Sequence, residues 1–461
     1  MSRILMRSAM SQLENPSAID VVMNNLIGDN TGNMIFANSV MRTLMLEDTI
    51  IDTMATNHRF SKEEIANINE NYDYFIIPLA NAFRKSFQKE LRHLTHLISG
   101  LQIPCIVIGV GVQTTVTDDL KHSFDFDEDV KNFMTAVLEK SSMVGVRGPI
   151  TGAYLKNLGF VEEKDYTVIG CPSMYMFGDS LPEMKQTELT PDSFVSLNRK
   201  IELKPDLHHF LMKCTKQLPN YTFVPQGIDD LRLLYLGKPI SRERFPKIPE
   251  SYPEKLDHDM LVQNKAIGFV NVPTWLDFLR SVDFSFGSRI HGNIVSVLAG
   301  TPCYIFVSDA RIKELAEYHN IPHMLAKDIK ADTNIFDLYE KADYSLIQKG
   351  HKERFDHYIK FLELNKLPHI YQNHDQRVVF DEKMNQLTVP KPILPFSAIP
   401  LEEQMERLMT YHEYVDEKHE EIKRLNKQYS NLSKRYDSLV NESEIQLAKR
   451  LMKKGLKRFQ F

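Results

Sequence analysis

The chain has 461 residues, about three times a typical domain of ~150 residues, which predicts two or three folding units. Its composition, with 43% hydrophobic and 25% charged residues, excludes global disorder. The net charge of −5 excludes a bulk attraction for nucleic acid or for an anionic membrane.

The cysteines form no CxxC motif and no cluster with histidine, so we expect neither a disulfide framework nor a structural zinc site. This spacing favours a reducing, cytoplasmic setting. The four positions are Cys105, Cys171, Cys214 and Cys303. Residues 1–20 lack the continuous apolar stretch of a signal peptide, and the uncharged stretches 93–117 and 290–308 are interrupted by Gly, Pro or His. We therefore expect no targeting segment and no membrane span.

The first part of the chain is predicted to alternate strands and helices. The expected strands are 19–23, 72–77, 103–109, 143–147 and one that opens at 168–169. The expected helices are 34–45, 80–98 and 150–158. Repeated β-loop-α units predict a parallel, doubly wound sheet, which we assign to an N-terminal Rossmann-like lobe at residues 1–190.

A second α/β series follows and predicts a C-terminal Rossmann-like lobe at residues 191–375. Its expected strands are 193–198, 221–226, 283–288 and 302–307. Its expected helices are 206–218, 274–282 and 293–300. The fold class is therefore α/β with two Rossmann-like lobes, and the cleft between such lobes is the expected ligand site.

The C-terminal region has a different composition. Residues 376–400 are expected to form a linker, because four prolines fall within residues 390–400 and favour an extended strap. Residues 401–445 carry a heptad pattern in which every seam position except Lys418 is apolar or aromatic. The seam consists of Leu408, Tyr411, Val415, Lys418, Ile422, Leu425, Tyr429, Leu432, Tyr436 and Leu439.

This pattern predicts a coiled coil and a homo-oligomer, with the β-branched residues of the seam favouring a parallel dimer. A lone amphipathic helix that folds back onto the lobes is the alternative. The last segment, residues 446–461, mixes basic with large apolar residues and contains no acid. It fits contact with the inner face of an anionic membrane or, equally, a solvated tail.

The segment most informative about chemistry is the turn SRIHG at residues 288–292. It joins a strand to a helix and places Arg289 and His291 at the helix N-terminus, where unpaired backbone N–H groups bind phosphate or carboxylate. Gly292 permits close approach of a ligand to the backbone, and Ser288 adds a hydroxyl. The physical chemistry of these residues predicts an anion site with a proton-transferring histidine. A structural Arg/His pair that ties the turn to the other lobe is the alternative.

Several motifs together resemble the polysaccharide pyruvyl transferase family. SRIHGNIVSVLAGTP at 288–302 is followed by SDARIKELAEYHNIP at 308–322, and VGVRGPITGAYLKNLGF at 144–160 resembles a second family block. GDNTGNMIF at 28–36 resembles its first glycine-rich loop. Cys171–Pro172 stands where the family has Asp-Pro, and residues 78–81 replace a glycine-rich strand end. The resemblance covers roughly residues 19–372.

The resemblance implies a GT-B-like fold and an enzyme that transfers the pyruvyl group of phosphoenolpyruvate to a saccharide acceptor. The acceptor would be a cell-surface polysaccharide or its lipid-linked precursor, the product a pyruvate ketal, and no metal or organic cofactor would be needed. Arg289 and Arg147 would bind the anionic donor from the two lobes, and His291 would be the acid/base group.

Weaker candidates surround this core. Asp29 and Asn30 are expected near the acceptor, although an Asx turn or helix cap explains Asp29 as well. Arg311 either adds to the anion site or pairs with Asp309 to brace its loop. Glu314 is expected to be a surface residue of the following helix.

Two further functions fit the same chain. A GT-B glycosyltransferase that uses a nucleotide sugar shares the expected architecture, and fold alone does not decide between the two enzymes. A non-catalytic assembly protein, with the coiled coil as its functional part, is the third hypothesis.

Overall fold

The computed structural model describes residues 2–54, 58–372 and 377–456. The chain divides into two compact units, Met1–Ile399 and Pro400–Phe461. The first unit contains two parallel β-sheets with helices packed against them. The expected α/β class is therefore confirmed, whereas the domain boundaries assigned from the sequence stay predictions.

The first sheet has six parallel strands in the order β2-β1-β3-β4-β5-β6. They are β1 Ser2–Arg7, β2 Thr49–Met54, β3 Tyr74–Pro78, β4 Cys105–Val110, β5 Val144–Val146 and β6 Tyr166–Val168. The second sheet has five parallel strands in the order β11-β10-β9-β7-β8. They are β7 Val195–Asn198, β8 Tyr221–Phe223, β9 Phe284–Gly287, β10 Cys303–Val307 and β11 His323–Leu325.

In both sheets the chain reverses its winding direction at the equivalent position. The first strand of each sheet lies between the second and the third, so the switch falls between β1 and β3 in one sheet and between β7 and β9 in the other. Ligands of open α/β sheets bind at such switch points, beyond the carboxyl ends of the strands. The topology therefore directs attention to the loops that follow these strands.

The helices of the first unit cover the faces of the sheets. Those before β7 are α1 Ala18–Asn24, α2 Gly32–Leu44, α3 Lys62–Asn71, α4 Gln88–Gly100, α5 Asp127–Leu138 and α6 Pro149–Asn157. Those after it are α7 Pro205–Gln217, α8 Ile228–Leu236, α9 Asp259–Val262, α10 Val272–Ser281, α11 Ile290–Leu298, α12 Ala310–Tyr318, α13 Ile335–Lys341, α14 Ser345–Gln348, α15 His351–Leu364 and α16 Val379–Asn385.

Most predicted elements are present, with three differences. Residues 19–23 were expected to form a strand but belong to helix α1, because Ser17 caps its N-terminus by accepting from the Asp20 N–H at 3.3 Å. The helix expected from residue 80 begins as α4 at Gln88, after an irregular segment. Strands β1, β2 and β11 lie outside the predicted elements, as do several helices, among them α3, α5 and α15.

The core explains why the central strands are so apolar. Every residue of β4 is buried, as expected for a parallel strand covered by helices on both faces. Helix α15 follows the second sheet in the chain but packs on the first: a Cβ at Gly145 in β5 would lie 3.0 Å from the Cζ atom of Phe361. Tyr358 of the same helix stacks on Tyr175, which follows β6, with ring centroids 5.0 Å apart. Asn365, just after this helix, accepts the Ser142 N–H at 3.0 Å. The chain therefore crosses back to the first sheet before the first unit ends.

The segment predicted as a linker contains structured residues. Asp381 in α16 forms a two-pronged ion pair with Arg42, at 2.8 and 2.6 Å. Ile393 is buried and exchanges backbone hydrogen bonds with Gly268, at 2.8 Å in each direction. The proline-rich segment thus lies as a strap against the second-sheet part of this unit.

The second unit consists of one long helix, α17 Leu401–Leu456. Large apolar residues of the predicted seam, among them Leu425 and Leu432, are exposed along it. The long helix is confirmed, and the coiled coil stays a prediction. Residues 457–461 of the basic tail lie outside the described residues. Within the described ranges, no helix combines the length and apolarity that a membrane crossing requires.

Candidate functional site

The turn at residues 288–292 is held by a single residue of the neighbouring strand. Asn198, the last residue of β7, accepts the Ser288 N–H through its backbone carbonyl at 2.9 Å and the Arg289 N–H through its side chain at 2.8 Å. Gly287 has φ +148°, and a Cβ there would lie 1.7 Å from the Asn198 carbonyl oxygen. Only glycine fits this close approach, and it fixes where α11 begins.

Arg289 precedes the first residue of α11, so its backbone lies at the positive end of that helix. Its Nε atom is buried and has no hydrogen-bond partner among the described residues. The buried Asp230 faces this arginine, and burial raises the pKa of Asp230 to about 6 even though Arg289 opposes the rise. Asp230 is held by the Tyr252 hydroxyl at 3.0 Å and the Gly227 N–H at 3.1 Å. Arg289 thus has an acid in its surroundings, while its Nε donor stays unused.

His291 lies in the first turn of α11 and is buried. Burial, with the charges of Arg147 and Arg289 adding to it, lowers the pKa of His291 to about 3. The imidazole is therefore neutral near pH 7. Its Nε2 atom lies 3.7 Å from the Sγ atom of Cys171, and a Cβ at Gly32 would lie 2.4 Å from its Nδ1 atom. The ring is fitted closely against the first-sheet side of the cleft.

Arg147 reaches the same cleft from the first sheet. It follows β5 directly, is buried, and has an Nε atom that lacks a hydrogen-bond partner in the described part of the chain. Its aliphatic portion passes over Gly111, where a Cβ would lie 2.2 Å from the Arg147 Cδ atom. A buried guanidinium with unused donors is costly unless an anion satisfies it. Arg147 is therefore a candidate anion-binding residue.

The cleft between the two sheets encloses a cavity of about 1060 Å³. Six of the predicted site residues line it: Asp29, Asn30, Arg147, Arg289, His291 and Arg311. Ser288 and Gly292 are not among its lining residues. Gly292 instead packs on the second sheet, where a Cβ would lie 2.6 Å from Gln226 Nε2 and 3.0 Å from Asn198 Cγ.

Asp29 and Asn30 belong to a loop that reaches the second half of the unit. The Asp29 carbonyl accepts the Ile228 N–H at 3.2 Å, and Asn30 forms an isolated β-bridge with Gly227. The Asp29 side chain accepts from Asn25 at 3.0 Å and forms an ion pair with Arg244 at 3.5 Å. It is thus part of a local network at the rim of the cavity.

Arg311 has the bracing contact that the sequence suggested as one alternative. Its Nη2 atom donates to Asp309 at 2.8 Å, and Lys200 approaches the same carboxylate at 3.4 Å. When the Asn81 amide is turned so that its oxygen faces the arginines, that oxygen accepts from Arg84 Nη1 at 2.8 Å and Arg311 Nη1 at 2.6 Å. Two guanidiniums therefore meet at one neutral oxygen on the cavity wall.

Sequence reasoning missed four residues of this site. Arg84 and Lys200 follow β3 and β7 at the two switch points, and the position of the strand ends could have revealed both. Gly32 carried no signal beyond its loop. Glu314 was expected on the surface but is 1% exposed, because α12 turns it towards α6. The residues around Glu314, such as Leu315 and Ala316, show no amphipathic pattern that would identify this acid as buried.

A metal site is not apparent at the cleft. Within the described residues, the group of three potential ligands that lie close together is Asp118, Asp119 and His122, and none of them lines the cavity. Exposed acidic groups of this kind are common without an ion. The expectation that no metal or organic cofactor is needed stays a prediction.

Comparison with known proteins supports the family resemblance. Residues 92–310 match the model of the family described as polysaccharide pyruvyl transferase. This range includes Arg147, Arg289 and His291, so the resemblance inferred from the motifs is confirmed over it. A search of curated proteins finds no match.

Solved structures show a distant likeness. A UDP-GlcNAc 2-epimerase from Neisseria meningitidis, bound to UDP-GlcNAc, is 10% identical, with 79% of this chain and 100% of that chain covered and a TM-score of 0.41. The corresponding epimerase from Methanocaldococcus jannaschii is 12% identical, with 78% and 99% covered and a TM-score of 0.40. An uncharacterised protein from Klebsiella pneumoniae is 12% identical, with 70% and 92% covered and a TM-score of 0.38.

Proposed function

Because residues 92–310 match the polysaccharide pyruvyl transferase family, we propose that this protein transfers the pyruvyl group of phosphoenolpyruvate to a saccharide. The acceptor is a cell-surface polysaccharide or its lipid-linked precursor, and the product is a pyruvate ketal. The observation that supports this most directly is the pair Arg147 and Arg289. Their Nε atoms are both buried without hydrogen-bond partners among the described residues, and both residues line one cavity, Arg147 from the first sheet and Arg289 from the second.

This arrangement suits a small ligand with two anionic groups. Phosphoenolpyruvate carries a carboxylate and a phosphate, and a guanidinium binds either group through two parallel hydrogen bonds. The N-terminus of α11 adds backbone N–H donors and the positive end of a helix dipole. We assign the two arginines to these two anionic groups.

The reaction needs no reactant beyond the donor and two hydroxyl groups of the acceptor. One hydroxyl oxygen adds to the central carbon of the donor while the methylene carbon gains a proton and becomes a methyl group. The second hydroxyl oxygen then displaces phosphate at the same carbon, which completes the ketal. Of the two hydroxyl protons, one ends on the methyl carbon and the other leaves with phosphate.

His291 is the group we assign to proton transfer. A neutral imidazole accepts a proton from an attacking hydroxyl, and the low pKa of His291 keeps it neutral before the donor binds. An anionic donor between the ring and the arginines favours the protonated ring, because opposite charges stabilise each other. The histidine can then return the proton.

The test is phosphate release from phosphoenolpyruvate with a panel of saccharide acceptors. Arg147→Ala and Arg289→Ala are expected to weaken donor binding about 10- to 100-fold, since hydrogen bonds to charged groups contribute ~1.5–3 kcal/mol. His291→Ala is expected to lower kcat about 100-fold or more.

Matched controls are available on the surface. Arg280→Ala and His209→Ala remove the same side-chain types at exposed positions outside the cavity lining and should keep full turnover. Full turnover by Arg289→Ala and His291→Ala would contradict the proposal. Calorimetric titration separates the alternative: a glycosyltransferase would bind a nucleotide sugar and not phosphoenolpyruvate.

A further inference from the structure

Glu314 connects the two halves of the cleft. It lies on α12, which connects β10 to β11 of the second sheet. Its carboxylate accepts from Thr151 on α6, which connects β5 to β6 of the first sheet. Thr151 donates its N–H at 3.0 Å and its hydroxyl at 3.0 Å. The fit is tight, since a Cβ at Gly148 would lie 2.6 Å from the Glu314 Oε2 atom.

The same carboxylate acts on Arg147. Arg147 immediately precedes Gly148, the N-terminal cap of α6, so the backbone that Glu314 holds is the backbone that carries this arginine. Glu314 and Arg147 also attract each other electrostatically. Glu314 is therefore, with Asp309, one of the acids whose charge acts on Arg147, and it is the one with the larger effect.

We propose that Glu314 is a positioning residue for Arg147 and that it takes up a proton when an anionic ligand pairs with that arginine. The step forms one O–H bond on the carboxylate, and the proton comes from the solvent. The identification of the anion as phosphoenolpyruvate rests on the proposed function. The coupling itself requires only that an anion binds Arg147.

The protonation state of Glu314 is poised for this step. Burial raises its pKa to about 7, while Arg147 and the Thr151 hydrogen bonds oppose the rise. An anion on Arg147 cancels that opposing attraction and adds repulsion, so the protonated form becomes favoured near pH 7. The contact with the Thr151 hydroxyl survives, because a hydroxyl can either donate or accept.

Other groups around Arg147 are less suited to exchange a proton. Burial raises the pKa of the Cys171 thiol, so it is uncharged near pH 7. Despite burial, Arg311 holds the pKa of Asp309 below its usual range, so this carboxylate is charged. His291 starts from a pKa of about 3 and needs a far larger shift than Glu314 to bind a proton at pH 7.

The experiment measures proton uptake directly. Sulfate and phosphoenolpyruvate are titrated by calorimetry at pH 7 in two buffers with different ionisation enthalpies, and the difference gives the protons bound per ligand. Sulfate is the cleaner probe because it does not titrate near pH 7. We expect uptake in the wild type and in His291→Asn, and its loss in Glu314→Gln. No uptake in the wild type, uptake retained in Glu314→Gln, or uptake lost in His291→Asn each overturns the proposal.

The pH dependence of affinity provides a readout that a merely structural contact would not change. Uptake of one proton makes the wild-type affinity for sulfate fall by up to about tenfold per pH unit above pH 7. Glu314→Gln should show a flat profile and bind more tightly than the wild type at pH 8. If that variant does not fold, Thr151→Val replaces it: losing the hydroxyl should move the midpoint to higher pH.

The two proposals fail in different ways. Sulfate-linked uptake that depends on Glu314, without phosphate release from phosphoenolpyruvate, leaves this inference standing and contradicts the proposed function. Phosphate release from phosphoenolpyruvate without proton uptake contradicts this inference and leaves the proposed function standing. So does phosphate release together with an affinity for sulfate that depends on pH in the same way in Glu314→Gln and in the wild type.

Discussion

The Sγ atom of Cys171 lies 3.7 Å from the Nε2 atom of His291, and both side chains are buried. Burial raises the pKa of the thiol, so it offers the imidazole no negative charge near pH 7. This neutral neighbour helps to explain why burial and the charges of Arg147 and Arg289 lower the pKa of His291 without an opposing charge. The basicity of the histidine therefore depends on what stands at position 171.

Cys171→Asp is expected to raise the pKa of His291, because a carboxylate within about 4–6 Å shifts a pKa by roughly one to three units. The pH profile of kcat should move to higher pH by at least about one unit, and NMR titration of His291 should show the same direction. Cys171→Ser keeps a small neutral side chain and is the control. Identical profiles for the two variants would mean that the residue at 171 does not set the basicity of His291.

Gly32 is expected to be intolerant of any side chain. A Cβ there would lie 2.4 Å from His291 Nδ1, a separation that real Cβ contacts do not show, so Gly32→Ala must displace the ring. We expect a loss of kcat of about 100-fold or more, close to that of His291→Ala. The measurement is phosphate release, together with a thermal melt to show that the protein is folded.

Gly100→Ala is the matched control for that substitution. Gly100 is also a helical glycine, but an added Cβ there would meet only side-chain atoms of Ile65, at 3.1 and 3.4 Å. This variant should keep the wild-type turnover. If Gly32→Ala does so as well, His291 has more freedom to move than its contacts indicate.

The sequence could predict the parts of the site that depend on local rules. The turn at 288–292 combines a strand end and a helix start with an arginine and a histidine. The strand end and the helix start place the backbone, and the two side chains provide a positive charge and a group that can transfer a proton. Helix α1 replaces an expected strand because Ile19, Val21 and Val22 are β-branched and favour a strand, while the Ser17 cap that decides the outcome is a single hydrogen bond. Local propensity and capping compete here, and the cap prevails.

Tertiary placement was beyond the reach of the sequence. Glu314 is followed within three residues by another acid, Glu317, and both fit a solvated helix face. Only the packing of α12 against α6 separates the buried Glu314 from its half-exposed neighbour. The return of α15 to the first sheet is likewise a long-range contact that no local pattern encodes.

His369 is expected to lower the free energy of unfolding as the solution becomes more acidic. It is fully buried, neither ring nitrogen has a hydrogen-bond partner in the described ranges, and burial lowers its pKa to about 4. The unfolded chain binds a proton near pH 6.5, whereas the folded protein resists it down to about pH 4. Stability is therefore lost as the pH falls below 6.5, at up to ~1.4 kcal/mol per pH unit for this group.

His369→Leu removes this contribution while keeping an apolar side chain in the core. The free energy of unfolding, measured with urea, should fall less between pH 7 and pH 5 in the variant, by ~2 kcal/mol. The exposed His209→Ala variant should keep the wild-type pH dependence. Parallel curves for His369→Leu and the wild type would show that His369 titrates alike in the folded and unfolded protein.

The exposed seam of α17 predicts self-association through this helix. Ile422, Leu425, Tyr429 and Leu432 are each more than half exposed, at 53%, 51%, 74% and 65%. A row of large apolar side chains at heptad spacing is stabilised when a second helix covers it, at about 25 cal/mol per Å² of apolar surface buried. We expect the full chain to be a dimer at micromolar concentration in light scattering.

Leu425→Asp combined with Leu432→Asp should convert this dimer to a monomer, because the substitutions place charges in the apolar seam. Lys427→Asp combined with Lys434→Asp changes two exposed positions on the opposite side of the heptad and should leave the dimer intact. Sedimentation velocity on both variants distinguishes the seam from a general effect of added acids. A wild-type chain that sediments as a monomer at tens of micromolar would show that α17 does not associate with a second copy.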